Sequence, residues 1–454
     1  MRVLIAIAGL FMFINSVSAA IEVEVGRDGA KDDYLCWGLV EGRIRWKGPG
    51  PVPGKVALSS KPVNPTTAGA LVFVDAATPS SDRKETLTVA LQPQEAWTRF
   101  LIAGSKASTE DKDVAIAVSD EAGNSLATHP VMVRVRKNAE QLTDAERDRF
   151  LNAFAKAGKR ENQFDIFWRL HTNAGAPFAH DVAFLPWHRT LLLHLERLLQ
   201  AEDPSVALPY WEFDKKAPKL FSLDFLGRVG DRLANPAIVE FSPSNPLANG
   251  WGVTNVDLPA EAPQLNTPLT RLNNGDENVG QGLNKDFMRE TTQIPCCGGF
   301  GSDIWFPYHG AAHVHISGLI GDINRSPGDP LFFLLHANTD RGWAAWQRFH
   351  DRFNRDKVEA YGLQGAHSAG ASRPLGNFEE DTMWPWDGVV RPNQQIVFPV
   401  GDIHLPPNPG PGDGIMSNPQ VGENLDYLDL ANDGGNQGFC YDNIPAGIGT
   451  VPDF

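Results

Sequence analysis

The chain has no run of basic residues: 40 Lys and Arg are scattered among 55 Asp and Glu, for a formal net charge of -15. A nucleic-acid partner needs a concentrated positive face, so the composition argues against one. No apolar run beyond the first twenty residues reaches the roughly 18 residues that a membrane-spanning helix requires. There are no internal repeats, no His-Glu-x-x-His helix and no cysteine set with zinc-binding spacing. Cysteine is scarce as well, with four among 454 residues.

The N-terminus reads as a secretory signal. Met1-Arg2 precedes the apolar stretch Val3 to Ile14, and small residues follow to Ala19 and Ala20. Residues 1–20 are therefore expected to be removed, leaving a soluble protein that is secreted or periplasmic. Export permits disulfides. Four cysteines allow three pairings, and a bridge between adjacent Cys296 and Cys297 would strain the peptide between them. Cys36 and Cys440 are thus expected to tie the two ends of the chain to its middle.

From Ile21 to about residue 137, short segments alternate apolar and polar residues: Ile21–Val25, Arg43–Trp46, Leu87–Leu91, Val114–Val118 and Val131–Val135. A period of two broken by Gly, Pro, Asp and Ser is the pattern of half-buried antiparallel strands. An immunoglobulin-like β-sandwich over 21–137 is the simplest all-β architecture. The pattern changes at Thr143-Asp144-Ala145-Glu146, a capping box followed by Phe150, Leu151 and Phe154 at helical spacing. A mainly helical domain with long loops is expected over 138–392. Residues 393–454 form a Pro- and Gly-rich tail.

Eight of the twelve histidines fall in two short windows. His171 follows Phe164 and Phe167 at i+7 and i+4, on the face that those rings would bury. His188 heads an apolar stripe continued by Leu192, Leu195 and Leu199, and His180 lies in the connection before it. His194 sits about 240° round that helix from His188 and reads as a surface or second-layer residue. In the second window His309 and His313 are four apart, so both can reach one metal, whereas His315 points away. Asp329-Pro330 opens a helix carrying His336, and Asp340 lies one turn further on, placed to hold a buried base or an imidazole N–H. Any one of these histidines is an ordinary core or surface residue. Six polar rings in a core of Leu and Phe would be costly without a metal.

Phe184-Leu185-Pro186-Trp187-His188-Arg189, with Leu192 and Glu196, resembles the first copper signature of the tyrosinase, catechol oxidase and hemocyanin family. Asp329-Pro330-Leu331-Phe332-Phe333-Leu334-Leu335-His336-Ala337-Asn338-Thr339-Asp340 is similar to the second, and Leu208-Pro209-Tyr210-Trp211 to the segment that follows the first site. The likeness covers about residues 140 to 390. It implies a four-helix-bundle domain with two copper ions, one held by His171, His180 and His188, the other by His309, His313 and His336. His180 would be reached by a shortened loop, and Phe178 and Ala179 beside it exclude the cysteine thioether found in many relatives.

The resemblance implies a polyphenol oxidase that uses O2 to convert o-diphenols to o-quinones, with phenolic small molecules as substrates. The other activity in the family is hemocyanin-like reversible O2 binding. Gly310 stands where several tyrosinases carry an Asn that orients a water. Diphenol oxidation is therefore expected to exceed monophenol hydroxylation.

Overall fold

A computed structural model describes residues 21–26, 33–93, 95–159, 167, 171, 180, 183–229, 237–248, 269–275, 305–361, 378–383, 420–428 and 438–444. The expected signal segment 1–20, the residues Phe164, Phe178 and Ala179, and Cys296 and Cys297 lie outside them.

Nine strands among the described residues form the N-terminal part. One sheet has the order β1 (Ile21–Val25), β3 (Val40–Trp46), β7 (Thr98–Lys106), β5 (Ala70–Asp75). The other has the order β2 (Tyr34–Leu35), β9 (Ser125–Val133), β8 (Val114–Ser119), β4 (Lys55–Pro62), β6 (Thr86–Ala90). All pairings are antiparallel except β2 with β9. The alternation that marks β1 sends Ile21, Val23 and Val25 inward. Its outward Glu22 and Glu24 lie opposite Arg45 and Arg43 of β3, each pair joined by a 2.7 Å hydrogen bond. Such cross-strand pairs fix register on the solvent face. Inward residues of both sheets, among them Ile44, Phe73 and Phe100 from one and Leu58, Ile116 and Val131 from the other, belong to one buried cluster.

Four α-helices follow among the described residues: α1 (Asp144–Lys159), α2 (Phe184–Glu202), α3 (Trp305–Ile316) and α4 (Leu331–His350). The capping box starts α1 as expected, with Thr143 N–H donating to Glu146 and Glu146 N–H donating to the Thr143 hydroxyl. At the head of α4 the Asp329 carboxylate accepts the Leu331 N–H at 2.9 Å, and Pro330 stands just before the first helical residue. Helices α2 and α4 pack against each other, with α1 against α2 and α3 against α4. Both α2 and α4 are buried nearly all round. A short sheet of β10 (Arg228–Val229), β11 (Ala237–Glu240) and β12 (Thr270–Arg271) brings Arg271 to Asp329, where the two form a fully buried bidentate pair at 2.7 Å.

Cys36 and Cys440 are bonded to each other, not to the middle of the chain as expected. The strain of a vicinal bridge bears only on 296 and 297, and the physical cause of the observed pairing is long range. Residues 438–444 return to the junction between the strands and the helices. There Arg136 N–H donates to the Cys440 carbonyl at 2.7 Å and Asp442 N–H donates to the Arg136 carbonyl at 2.9 Å. Gly104 in β7 permits the approach of the Cys36 segment, because its N–H donates to the Cys36 carbonyl at 2.7 Å and a Cβ there would stand 2.3 Å from Val133. Segments of the C-terminal region are core rather than fringe: Val421, Leu425, Tyr427, Phe439 and Tyr441 are buried.

Candidate metal centre

Helix α2 carries His188 on its first turn, α3 carries His309 and His313, and α4 carries His336. His171 and His180 precede α2. The structure brings these six residues into two groups of three, His171 with His180 and His188, and His309 with His313 and His336. Within each group one ring nitrogen per residue lies within 4.8 Å of the others. His171, His188, His309 and His336 are buried, and His180 and His313 are partly so.

The nitrogen atoms are oriented by their backbone partners. His188 Nδ1 lies 2.9 Å from the Phe184 carbonyl and His313 Nδ1 lies 2.6 Å from the Ile320 carbonyl. A neutral ring that donates through Nδ1 presents a lone pair at Nε2. The Nε2 atoms of His309, His313 and His336 stand 3.0, 3.1 and 3.4 Å from one another. Three lone pairs converging at that spacing repel unless a cation sits among them. His188 Nε2 is buried and has no hydrogen-bond partner among the described residues. The donor set and its orphaned nitrogen therefore suit a pair of metal ions bound by imidazole.

Burial, and then repulsion from neighbouring imidazoles, holds His171, His309 and His336 far below the ordinary histidine range. Burial and His180 do the same for His188, and burial brings His313 down to about 4. Each is thus a neutral donor at neutral pH, as metal binding requires.

Two phenylalanines of the signatures wall the site. Phe184 lies against His188, His309 and His180 at ring separations of 4.6, 5.0 and 6.0 Å. Phe332 lies against His336 and His171 at 4.3 and 4.9 Å. They keep water from the donors on those sides.

His194 is fully buried, which removes the surface half of its reading as a surface or second-layer residue. Helix α2 is enclosed on every side, so standing off the apolar stripe does not place a residue in solvent. Burial brings its imidazole down to about 3. His315 is only partly exposed, and its carbonyl accepts from Asn273. Asp340 holds guanidinium groups rather than an imidazole, taking Arg189 Nε at 2.6 Å and Arg136 Nη1 at 3.2 Å. It also accepts from the Tyr441 hydroxyl at 2.5 Å. Glu196 completes this buried cluster, bound by Arg136 through Nη2 at 2.8 Å. Burial raises the Glu196 carboxyl, but Arg136 more than offsets that and leaves it below its usual value. Sequence reasoning missed Arg136 and Tyr441, since neither lies in a periodic or signature segment.

Comparison with known proteins agrees with this geometry. Residues 161–349 match the family model for the common central domain of tyrosinase, so the nine strands lie outside the matched region. A tyrosinase of Streptomyces glaucescens is 36% identical over 234 residues, covering 48% of this chain and 83% of that protein. Grixazone synthase of Streptomyces griseus is 32% identical over 268 residues, covering 48% and 86%. Hemocyanin 1 of Megathura crenulata is 27% identical over 247 residues, covering 49% of this chain and 7% of its own. The chain belongs to the tyrosinase family. That family uses a binuclear copper site, and the two histidine triads fit its two coppers.

Proposed function

We propose that this protein is an o-diphenol oxidase in which His171, His180 and His188 bind one copper ion and His309, His313 and His336 the other. Two facing triads of neutral imidazoles between Phe184 and Phe332 carry the reading. Bound copper would supply the electron transfer, so that two o-diphenols give two o-quinones while one O2 becomes two waters. The protein's own part is to hold six donors in fixed orientation and to keep the site dry on the phenylalanine sides.

Gly310 supports diphenols over monophenols. It follows His309 on α3, a Cβ there would meet nothing within 4 Å among the described residues, and glycine has no amide with which to orient a water. Copper per chain, measured with oxygen uptake on catechol and on tyrosine, tests the assignment. Two coppers with rapid quinone formation from catechol and slow turnover of tyrosine is the expected result. Two coppers with reversible O2 binding and no quinone would move the protein to the carrier side of the family.

The same reading extends to organisation and location. The two sheets over 21–137 form an immunoglobulin-like sandwich, and 138–392 form a copper domain built on a four-helix bundle with 393–454 as its C-terminal extension. The apolar first twenty residues and the Cys36–Cys440 bond support export from the cytoplasm. No helix among the described residues is long and apolar enough to cross a membrane.

A further inference from the structure

Residues 438–444 cross the face of α4 and are fastened to it on both sides. On one side the Tyr441 hydroxyl donates to Asp340 at 2.5 Å and accepts from Arg136 Nη1 at 2.9 Å. On the other side Arg341 of α4 reaches Asn443 at 3.3 Å, and Asp442 accepts the Tyr210 hydroxyl at 2.7 Å. Asp340 passes the connection on, because its second oxygen takes Arg189 Nε at 2.6 Å and Arg189 Nη1 reaches Gln347 at 2.8 Å. Arg189 adjoins His188 on α2, and Asp340 lies one turn from His336 on α4. One carboxylate thus joins the two helices that give a histidine to each triad.

The N-terminal part holds this strap by a covalent link and by hydrogen bonds, among them Trp37 Nε1 donating to the Tyr441 carbonyl at 2.8 Å. A cleft of about 510 Å³, lined by Trp37, Arg83, Lys106, Asp442 and Asn443 among others, lies beside the strap. The Cys36–Cys440 bond spans the junction next to Tyr441, with Trp37 N–H donating to Cys440 Sγ at 3.0 Å.

We propose that the strap is a positioning element for the metal centre: Tyr441, anchored by Cys36–Cys440, fixes Asp340 and Arg189 and so sets the relation between the helices that carry His188 and His336. This rests on the reading of the two triads as a copper pair. The nine-stranded part thereby acquires a role in the chemistry, although no strand residue lines the site.

The test uses the full chain loaded with copper(II). Tyr441→Phe keeps the ring that packs on Phe439 and Tyr210 but removes the hydroxyl. It is expected to retain two coppers, to lose them to a chelator about tenfold faster, and to change the copper–copper separation read from the X-ray absorption spectrum, which reports the geometry of the metal pair and not stability. Tyr210→Phe removes a strap hydrogen bond of the same kind that does not reach Asp340, and is expected to match the parent in both measurements. The double variant Cys36→Ser, Cys440→Ser is expected to behave as Tyr441→Phe, and decides the matter should that variant fail to fold. Parent-like copper retention and spectrum in Tyr441→Phe and the double variant would overturn the proposal, as would equal changes in Tyr210→Phe. A parent chain that takes up no copper would instead overturn the copper reading, and the proposal with it.

Discussion

The rings of His188 and His336, one from each triad, are stacked with centroids 4.1 Å apart and planes 1° from parallel. The two sets of donors therefore meet at this stacked pair. His309→Ala and His188→Ala should each lower copper from two per chain towards one and abolish oxygen uptake on catechol. Metal analysis of the purified variants checks this, and full occupancy in either would remove that residue from the ligand set.

Gly310→Asn should be accepted by the fold, since the added Cβ meets no neighbour and asparagine costs a helix less than glycine by a few tenths of a kcal/mol. The expected change lies in selectivity, with the rate on tyrosine relative to catechol rising by about tenfold through an oriented water. The ratio of initial rates on the two substrates measures it.

Arg271 and Asp329 are both fully buried, and Asp329 also caps the helix that bears His336. Removing the cation leaves an uncompensated buried carboxylate, which costs about 3–5 kcal/mol. Arg271→Leu should shift the urea midpoint of the metal-free protein accordingly. Arg271→Leu combined with Asp329→Asn should recover much of the loss.

In the strand region, burial raises Asp33, but hydrogen bonds from His129 and Lys112 outweigh it and bring the carboxyl down to about 2, from an ordinary 3.8. A carboxyl depressed on folding adds stability above its unfolded value and loses it as pH falls through the folded one. The contribution, on the order of 1–2 kcal/mol after screening, should be complete above about pH 4 and vanish towards pH 2. Asp33→Asn should flatten the stability profile in that window, as followed by thermal unfolding.

Much of this was legible in local pattern. Strict alternation disclosed β1, β3, β6, β8 and β9, and the i,i+4 spacing of His309 and His313 put two donors on one face of α3. Strands β5 and β7 were not visible. In Ala70-Leu71-Val72-Phe73-Val74 apolar residues run on without alternating, and the pairing of β5 with β7 slips between Ala70 and Leu71. The bond between Cys36 and Cys440 and the cluster of Arg136, Glu196, Asp340 and Tyr441 join residues 60 to 404 positions apart, and such contacts leave no periodic trace. The choice between surface and second layer for His194 stayed open because a stripe of leucines identifies the most apolar side of a helix, while α2 is surrounded.

The Cys36–Cys440 bridge spans 404 positions, so the chain between them is a closed covalent ring that contains all six histidines. One hydrolysed peptide bond anywhere in that ring opens it without releasing a fragment. A protease that cuts once between Cys36 and Cys440 would leave the chain whole on a non-reducing gel, and two pieces would separate only after reduction. Under the export proposed above, among proteases and beyond the reach of chaperones, a first cut would then be survivable.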